Sequence, residues 1–345
     1  MLQPVNQGEP QLAAFGEFML RLHSRGARRF LQSGAYDAFY AGAESNVCVL
    51  LARLGIPVNF ITRIPDNDIA RAGVEQLRAH GVGTGRIVYG GDRLALYFTE
   101  QGNGVRPTRV IYDRAGTSYA ALEPGMIDWT ASLEGAAYFH WSGIAAAVSR
   151  GAADTCREAL VRAAEMGIVI SSDFNYRTSL WKYGRHPREV MQELLPYSRV
   201  AVADLDSAAV YCGIETDVEA DFEKRFVQCS EALRQQLPRL EVLAMSFRKT
   251  KGIQHAYSGA LFYKGAYYFS TPHELPYVTD QIGSGDAFTG GMLYGLMRGS
   301  DAQQIIDFAT ACGALKQSIV GDWAIISRAE VEQYMRNGSS GRIMR

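Results

Sequence analysis

The stretch Asp280-Gln281-Ile282-Gly283-Ser284-Gly285-Asp286-Ala287-Phe288 places two glycines and a serine directly in front of an aspartate. The start of a helix carries unpaired amides and the positive end of the macrodipole, and glycines there let main-chain N–H groups approach an anion. Gly283, Ser284 and Gly285 would therefore cradle a phosphoryl group in transfer. Asp286, the first acidic side chain beyond the cradle, would accept the proton of an attacking hydroxyl, and the fixed amides would stabilise the charge that develops on the phosphoryl oxygens. An isolated G-x-G-D also suits a plainer role, with the aspartate capping a helix. Against that stand Gly290, Gly291 and Gly295 inside the same helical pattern. Each costs about 1 kcal/mol relative to alanine, so something must pack closely there. Other phosphate and dinucleotide motifs fail on spacing: no G-x-x-x-x-G-K-[ST] occurs, and neither GSGDAF nor GVGTGR supplies the third glycine of a dinucleotide fingerprint.

Several elements must hold that turn in place. Tyr277, Val278 and Thr279 suit a short strand, so the local unit reads as strand, glycine turn and helix, with Ala287, Phe288, Met292, Leu293 and Leu296 on the apolar face. Upstream, NVCVLLARLG (46–55) reads as a helix, VNFITRI (58–64) as a strand and DIARAGVEQLRAHG as a helix. AAYFHWSGI, IVISSDF, RVAVAD and EVLAMSF read as strands, with AADTCREALVRAAEMG as a helix among them. Such alternation is the signature of an α/β fold with a mostly parallel sheet covered by helices. Residues 19–40 and 93–116 break the rhythm; the second alternates polar and aromatic residues around a Gly102-Asn103-Gly104 turn, as in an antiparallel hairpin. Together they predict a small β-sheet lid built from insertions, within a single unit spanning 1–336. The segment from Asn337 to Arg345 reads as a flexible tail.

Thirty-five basic and thirty-six acidic residues give a formal charge of -1, so no global field favours nucleic acid or an anionic membrane. The five cysteines are scattered, with no C-x-x-C or His/Cys pairing, which argues against a zinc site and a disulfide framework. No window reaches the ~18 apolar residues of a membrane span, and a cytoplasmic location is expected.

The motif at 280–288 resembles the C-terminal signature of the ribokinase-like (PfkB) carbohydrate kinases, and AGAESNVCVLLARLG resembles their N-terminal glycine and asparagine-headed helix. In order between and after them, LALYFTE, VIYDRAGTSYA, HWSGI, SDFNYRTSLW and IVGDWAIIS resemble blocks of the 2-keto-3-deoxygluconate kinases. The resemblance runs from about Phe15 to about Tyr334. It implies a three-layer α/β/α sandwich, Mg²⁺ dependence and transfer of phosphate from ATP to a sugar acid, first of all 2-keto-3-deoxygluconate to its 6-phosphate. The alternatives are another sugar such as fructose, ribose or keto-deoxygalactonate, or a non-catalytic sugar-binding relative. The aromatic lid strands, with one face on the sugar and the other free, predict a homodimer through the lid.

The resemblance also assigns residues. Arg114 and Arg177 would bind the acid's carboxylate, which suits a planar guanidinium. Tyr97 and Tyr112, from the two arms of the lid hairpin, would cover the carbon chain. Gly42 would let the backbone approach the sugar, Asn46 would bond hydroxyls or cap its helix, Ile144 would form a wall, and Asp322 would lie near the reacting centre. For the nucleotide it points to Ser246 and Arg248, beside Gly283 and Gly285. Two departures from the family pattern stand out. The segment SFRKTKGIQHAYSG is longer and more basic than the usual loop, so Arg248, Lys249 and Lys251 would meet phosphates or form a solvated loop. The metal-organising segment reads Asp204-Leu205-Asp206-Ser207; it keeps carboxylate oxygens suited to a hard cation and lacks the acid three residues on.

Overall fold

The computed structural model describes residues 11–102, 106–251 and 254–338. Their strands are β1 (Gln11–Phe15), β2 (Met19–Ser24), β3 (Tyr36–Ala41), β4 (Val58–Ile64), β5 (Ile87–Tyr89), β6 (Ala95–Glu100), β7 (Arg109–Asp113), β8 (Ala136–Ser142), β9 (Val169–Asp173), β10 (Val200–Val202), β11 (Val242–Lys251), β12 (Gln254–Tyr263), β13 (Ala266–Phe269) and β14 (His273–Leu275). The main sheet runs β13-β12-β11-β10-β9-β8-β1-β4-β5, with β14 pairing β12. From β11 to β5 every neighbour is parallel, and the far end, β11 through β14, is antiparallel.

Strand parity explains the layers. On β1, Leu12 and Ala14 join one apolar cluster while Ala13 and Phe15 join the other; on β11, Val242 and Ala244 face the first, Leu243 and Met245 the second. Because both faces are buried, these strands read as continuous apolar runs without polar alternation. The first cluster takes in the helices Ala43–Arg53, Ser284–Met297 and Ala302–Lys316, and the second takes in Arg150–Glu165, Pro187–Leu194 and Phe222–Gln236. The result is the expected α/β/α arrangement. The three helical glycines find their reason here. A Cβ on Gly290 would lie 2.9 Å from Leu50, and on Gly291 and Gly295 2.9 Å from Ala309 and Ile305, so the Ser284–Met297 helix sits tightly against both neighbours.

A second sheet, β3-β2-β6-β7, stands over one end of the first. Both insertions contribute to it, and the parallel β2–β6 pairing joins them. Residues 103–105, which hold most of the expected Gly-Asn-Gly turn, lie outside the described residues, as do 339–345 of the tail.

Three local expectations are corrected. Tyr277–Thr279 forms no strand: Thr279 N–H bonds Gln317 O and Tyr277 is 79% exposed, while the strand pairing with β12 is β14, slightly earlier. The basic residues 248–251 lie in no loop: β11 runs to Lys251 and pairs antiparallel with β12 from Gln254, with Arg248 opposite Tyr257 and Lys249 opposite Ala256, while residues 252 and 253 lie outside the described residues. The first helix starts at Ala43, with Gly42 at its cap, so Asn46 lies within the helix and does not head it.

Candidate active site

The parallel strands bring Ser142, Asp173 and Val202 to one level, since Ser142 pairs with Asp173 and Asp173 with Val202. These are carboxyl ends of parallel strands, where open α/β sheets place their ligands. A cavity of about 370 Å³ opens there under the small sheet. The residues assigned to the cradle, the sugar and the nucleotide line it, whereas Lys249 of the basic run does not. Asn46 comes from the Ala43–Arg53 helix that Gly42 caps and Ile144 from the short helix just after β8, and Tyr97, Tyr112 and Arg114 come from β6, β7 and the residue just after β7. Arg177, Asp204, Ser246 and Arg248 stand on the other walls, and Gly283, Ser284, Gly285, Asp286 and Asp322 close the site. Asp206, by contrast, is exposed in the first turn of the Leu205–Cys212 helix and lines no part of it.

The glycine turn has a steric cause. Gly283 caps the Ser284–Met297 helix at φ +83°, and a Cβ there would come within 2.1 Å of the Asp322 carbonyl oxygen. No side chain caps this helix, so Asp286 is not its cap. The N–H of Ser284 turns back to Gln281 O at 3.3 Å, whereas the amides of Gly285 and Asp286 have by position no acceptor within the helix. A Cβ on Gly285 would meet open space. The amides left free to face an anion are thus those of Gly285 and Asp286, and not that of Ser284. The Ser284 hydroxyl donates to Gln281 O and accepts from Arg248, which also bonds Gln281 Oε1 at 2.7 Å.

Asn46 Nδ2 donates to Asp286 Oδ2 at 2.6 Å, across two helices far apart in sequence. Burial lifts the Asp286 carboxyl to about 6, against the pull of the Asn46 bond and of Arg177. That value suits a group that must be ionised near neutrality yet basic enough to take a proton.

Arg114 is 6% exposed and donates through Nε to Glu17 Oε2 at 2.5 Å; Glu17 also accepts from Thr117 Oγ1 at 2.9 Å. Its Nη1 and Nη2 are buried and unpartnered. A guanidinium with one edge fixed and two donors left over in a cavity wall is a ready carboxylate fork. Arg177 is exposed at the rim, with Nη1 on Tyr176 O. Tyr97 stands opposite Tyr112 in the β6–β7 register, their ring centroids 5.8 Å apart, and the Tyr97 hydroxyl donates to Asp322. The sequence reading overlooked Asp173, which lines the cavity and whose carboxyl is pushed up to about 8 by burial and then by Asp286. It also overlooked Glu17 and the buried Glu44, lifted to about 7 by burial and bonded by Ser142 Oγ at 2.5 Å. Asp173 stands inside the quoted block SDFNYR, and Glu44 inside AGAESNV, but only the fold shows that these carboxyls are buried.

The family of this arrangement is settled by comparison. A model of the pfkB family carbohydrate kinases matches residues 10–322. The chain belongs to that family. This kinase is 33% identical over 334 residues to the 2-dehydro-3-deoxygalactonokinase of Haloferax volcanii, covering 96% of this chain and 98% of that protein. It is 26% identical over 329 residues to the 2-dehydro-3-deoxygluconokinase of Thermoproteus tenax, covering 94% of each. The crystal structure of the 2-dehydro-3-deoxygluconokinase of Thermotoga maritima superposes with a TM-score of 0.88 at 31% identity, over 95% of this chain and 99% of that one. Among the described residues, no helix of this kinase is long and apolar enough to cross a membrane.

Proposed function

We propose that this kinase phosphorylates the primary hydroxyl of a 2-keto-3-deoxy sugar acid with ATP, giving the 6-phosphate. The observation that carries this reading is the buried Arg114 fork, whose Nη1 and Nη2 are unpartnered in the cavity that also holds Asp286. The cation is already paired with Glu17, but a neutral sugar offers no carboxylate to accept from both Nη nitrogens, and buried donors left without acceptors are costly. The names of the relatives support the same substrate class.

In this reading Arg114, with Arg177 at the rim, grips the carboxylate and fixes the sugar's direction. Tyr97 and Tyr112 cover the chain, and Asn46 and the Gly42 backbone face its hydroxyls. The sugar's far end then lies at Asp286, held by Asn46, which takes the hydroxyl proton as the oxygen attacks the γ-phosphorus. The amides of Gly285 and Asp286 face the transferring group and favour its developing charge. Arg248 and Ser246, on β11, stand where nucleotide phosphates would enter. Bound with the nucleotide, Mg²⁺ would neutralise charge on the β- and γ-phosphates. Among the described residues no cluster of three acidic, His or Cys ligands exists, which fits an ion that keeps its waters and leans on the phosphates. Asp204, whose Oδ1 already accepts from Ser207 N at 2.7 Å, would act as its protein-side oxygen donor. Closure of the small sheet would exclude water. The outer strand β7, where Ile111 is 48% accessible on the face away from Tyr112, is the surface assigned to a second copy of the chain.

The test is an ADP-release assay across 2-keto-3-deoxygluconate, 2-keto-3-deoxygalactonate, fructose and ribose. Turnover confined to the acids is expected, and the ratio between the two epimers names the substrate. Preference for a neutral sugar would overturn the reading.

A further inference from the structure

Behind the anion cradle lies a buried group that the reaction scheme leaves unused. Lys316 ends the Ala302–Lys316 helix and is 0% exposed. Its Nζ donates to Asp280 O at 3.1 Å and to Ile319 O at 3.0 Å. Asp280 is where the chain enters the turn to Gly283. Its carboxylate accepts from Ile282 N, Gly321 N and Arg21 Nη1, at 3.1, 3.2 and 2.7 Å. Ile319 leads into Gly321 and Asp322, and the Asp322 carbonyl is the atom a Cβ on Gly283 would strike. The ammonium therefore holds together the two loops whose contact sets the position of Gly283.

Charge gives a second argument. Arg21, 1% exposed, bonds both Asp280 and Asp322, the latter at 2.9 Å, and Asp322 is 3% exposed. Arg21 and Lys316 thus stand as two buried cations beside the carboxylates of Asp280 and Asp322, with Asp286 also within the field of Lys316. Removing Lys316 leaves a net negative charge buried next to a turn that must receive an anionic phosphoryl group, which opposes binding there. Burial pushes the Lys316 ammonium down to about 8, opposed by Asp280 and Asp322, so it is held as a cation at neutral pH.

We propose that Lys316 is a positioning residue for phosphoryl transfer, a built-in monovalent cation that clamps residues 280–283 to residues 319–322 and balances the charge behind the anion cradle. The inference rests on the kinase reading above. Ordinary helix-end lysines satisfy carbonyls in the same way but at the surface; this one is enclosed and shared between two catalytic-site loops.

The space vacated in Lys316→Ala would be lined by two carbonyl oxygens beside carboxylates, which is a site for a small monovalent cation. The experiment compares wild type, Lys316→Ala and Lys316→Met in potassium, ammonium or tetramethylammonium chloride at equal ionic strength. Readouts are kcat and KM with the sugar acid, and Tm by calorimetry. In tetramethylammonium the Ala variant should lose roughly 100-fold in kcat, the cost of a misplaced reacting group, with KM for the sugar acid near the wild-type value. Potassium or ammonium should restore most of that kcat and raise the variant's Tm. Lys316→Met, which fills the space, should not recover, and wild type should ignore the choice of cation. If the Ala variant folds only in potassium or ammonium, that dependence supports the proposal; failure to fold in all three salts overturns it. It is also overturned by an Ala variant as active as wild type in tetramethylammonium, by a loss that no cation repairs, or by a cation requirement in the wild type. Should no sugar acid be turned over by wild type, the sugar-acid reading fails, and the Tm response still decides the role of Lys316.

Discussion

Replacing Arg114 by Gln separates the binding of the acid from the integrity of the fold. In the native protein the guanidinium has one bond to Glu17 and two buried, unpartnered nitrogens. Two charge-assisted hydrogen bonds to a bound carboxylate, at about 1.5–3 kcal/mol each, give roughly 3–6 kcal/mol. At about 1.4 kcal/mol per tenfold, the variant should bind the sugar acid roughly 100- to 10,000-fold more weakly. The single change also strands Glu17, 1% exposed, without its cation, which costs about 3–5 kcal/mol of stability. Arg114→Gln combined with Glu17→Gln removes that charge and should recover much of the stability while leaving the affinity loss in place. Calorimetric titration with the sugar acid, and with an analogue carrying an alcohol in place of the carboxylate, reads both effects. The analogue should bind the wild type and the double variant alike. A double variant that holds the acid as tightly as wild type would refute the assignment of Arg114.

Two pH dependences follow. With the Asp286 carboxyl at about 6 in the free protein, kcat/KM should rise with pH up to about 6 and then level off; because the Asn46 bond favours the ionised form, Asn46→Ala should move that limb to higher pH, and an unmoved limb would remove Asn46 from this role. Asp173 and Glu44 are raised from 3.8 and 4.5 to about 8 and about 7, so between those limits the native state keeps protons that the unfolded chain has lost, and the contribution of these two groups to stability falls as pH rises, while the buried His140, lowered to about 3, gives the opposite trend below its ordinary value. Relative to Asp173→Asn, wild type should lose on the order of a few kcal/mol of stability between pH 5 and pH 8 by calorimetry. Equal slopes in both proteins would contradict the burial argument.

Much of this was legible in the chain because it depends on local rules. The strand Val58–Ile64 carries its pattern within its own residues, and Gly283 announces a backbone that no side chain tolerates. The lid hairpin's parity put Tyr97 and Tyr112 on one face, and their register agrees. What the sequence hid is set by contacts between distant segments. Tyr277–Thr279 looks like a strand, but Thr279 and Asp280 are fixed instead by Gln317 O at the end of another helix. The basic run at 248–251 looks like a solvated loop, yet β12 supplies a partner strand for it. Glu17, Arg21, Asp280 and Lys316 give no local sign of their role, since burial and mutual charge balance exist only once segments far apart in the chain have met.

The central claim, that Asp286 takes the hydroxyl proton during phosphoryl transfer, is tested most directly by Asp286→Asn, which keeps the size of the side chain and removes its basicity. ADP release with the sugar acid and ATP should fall by about 100- to 10,000-fold, while calorimetry shows the sugar acid binding with near wild-type affinity. An Asn variant that turns over at the wild-type rate would contradict the account.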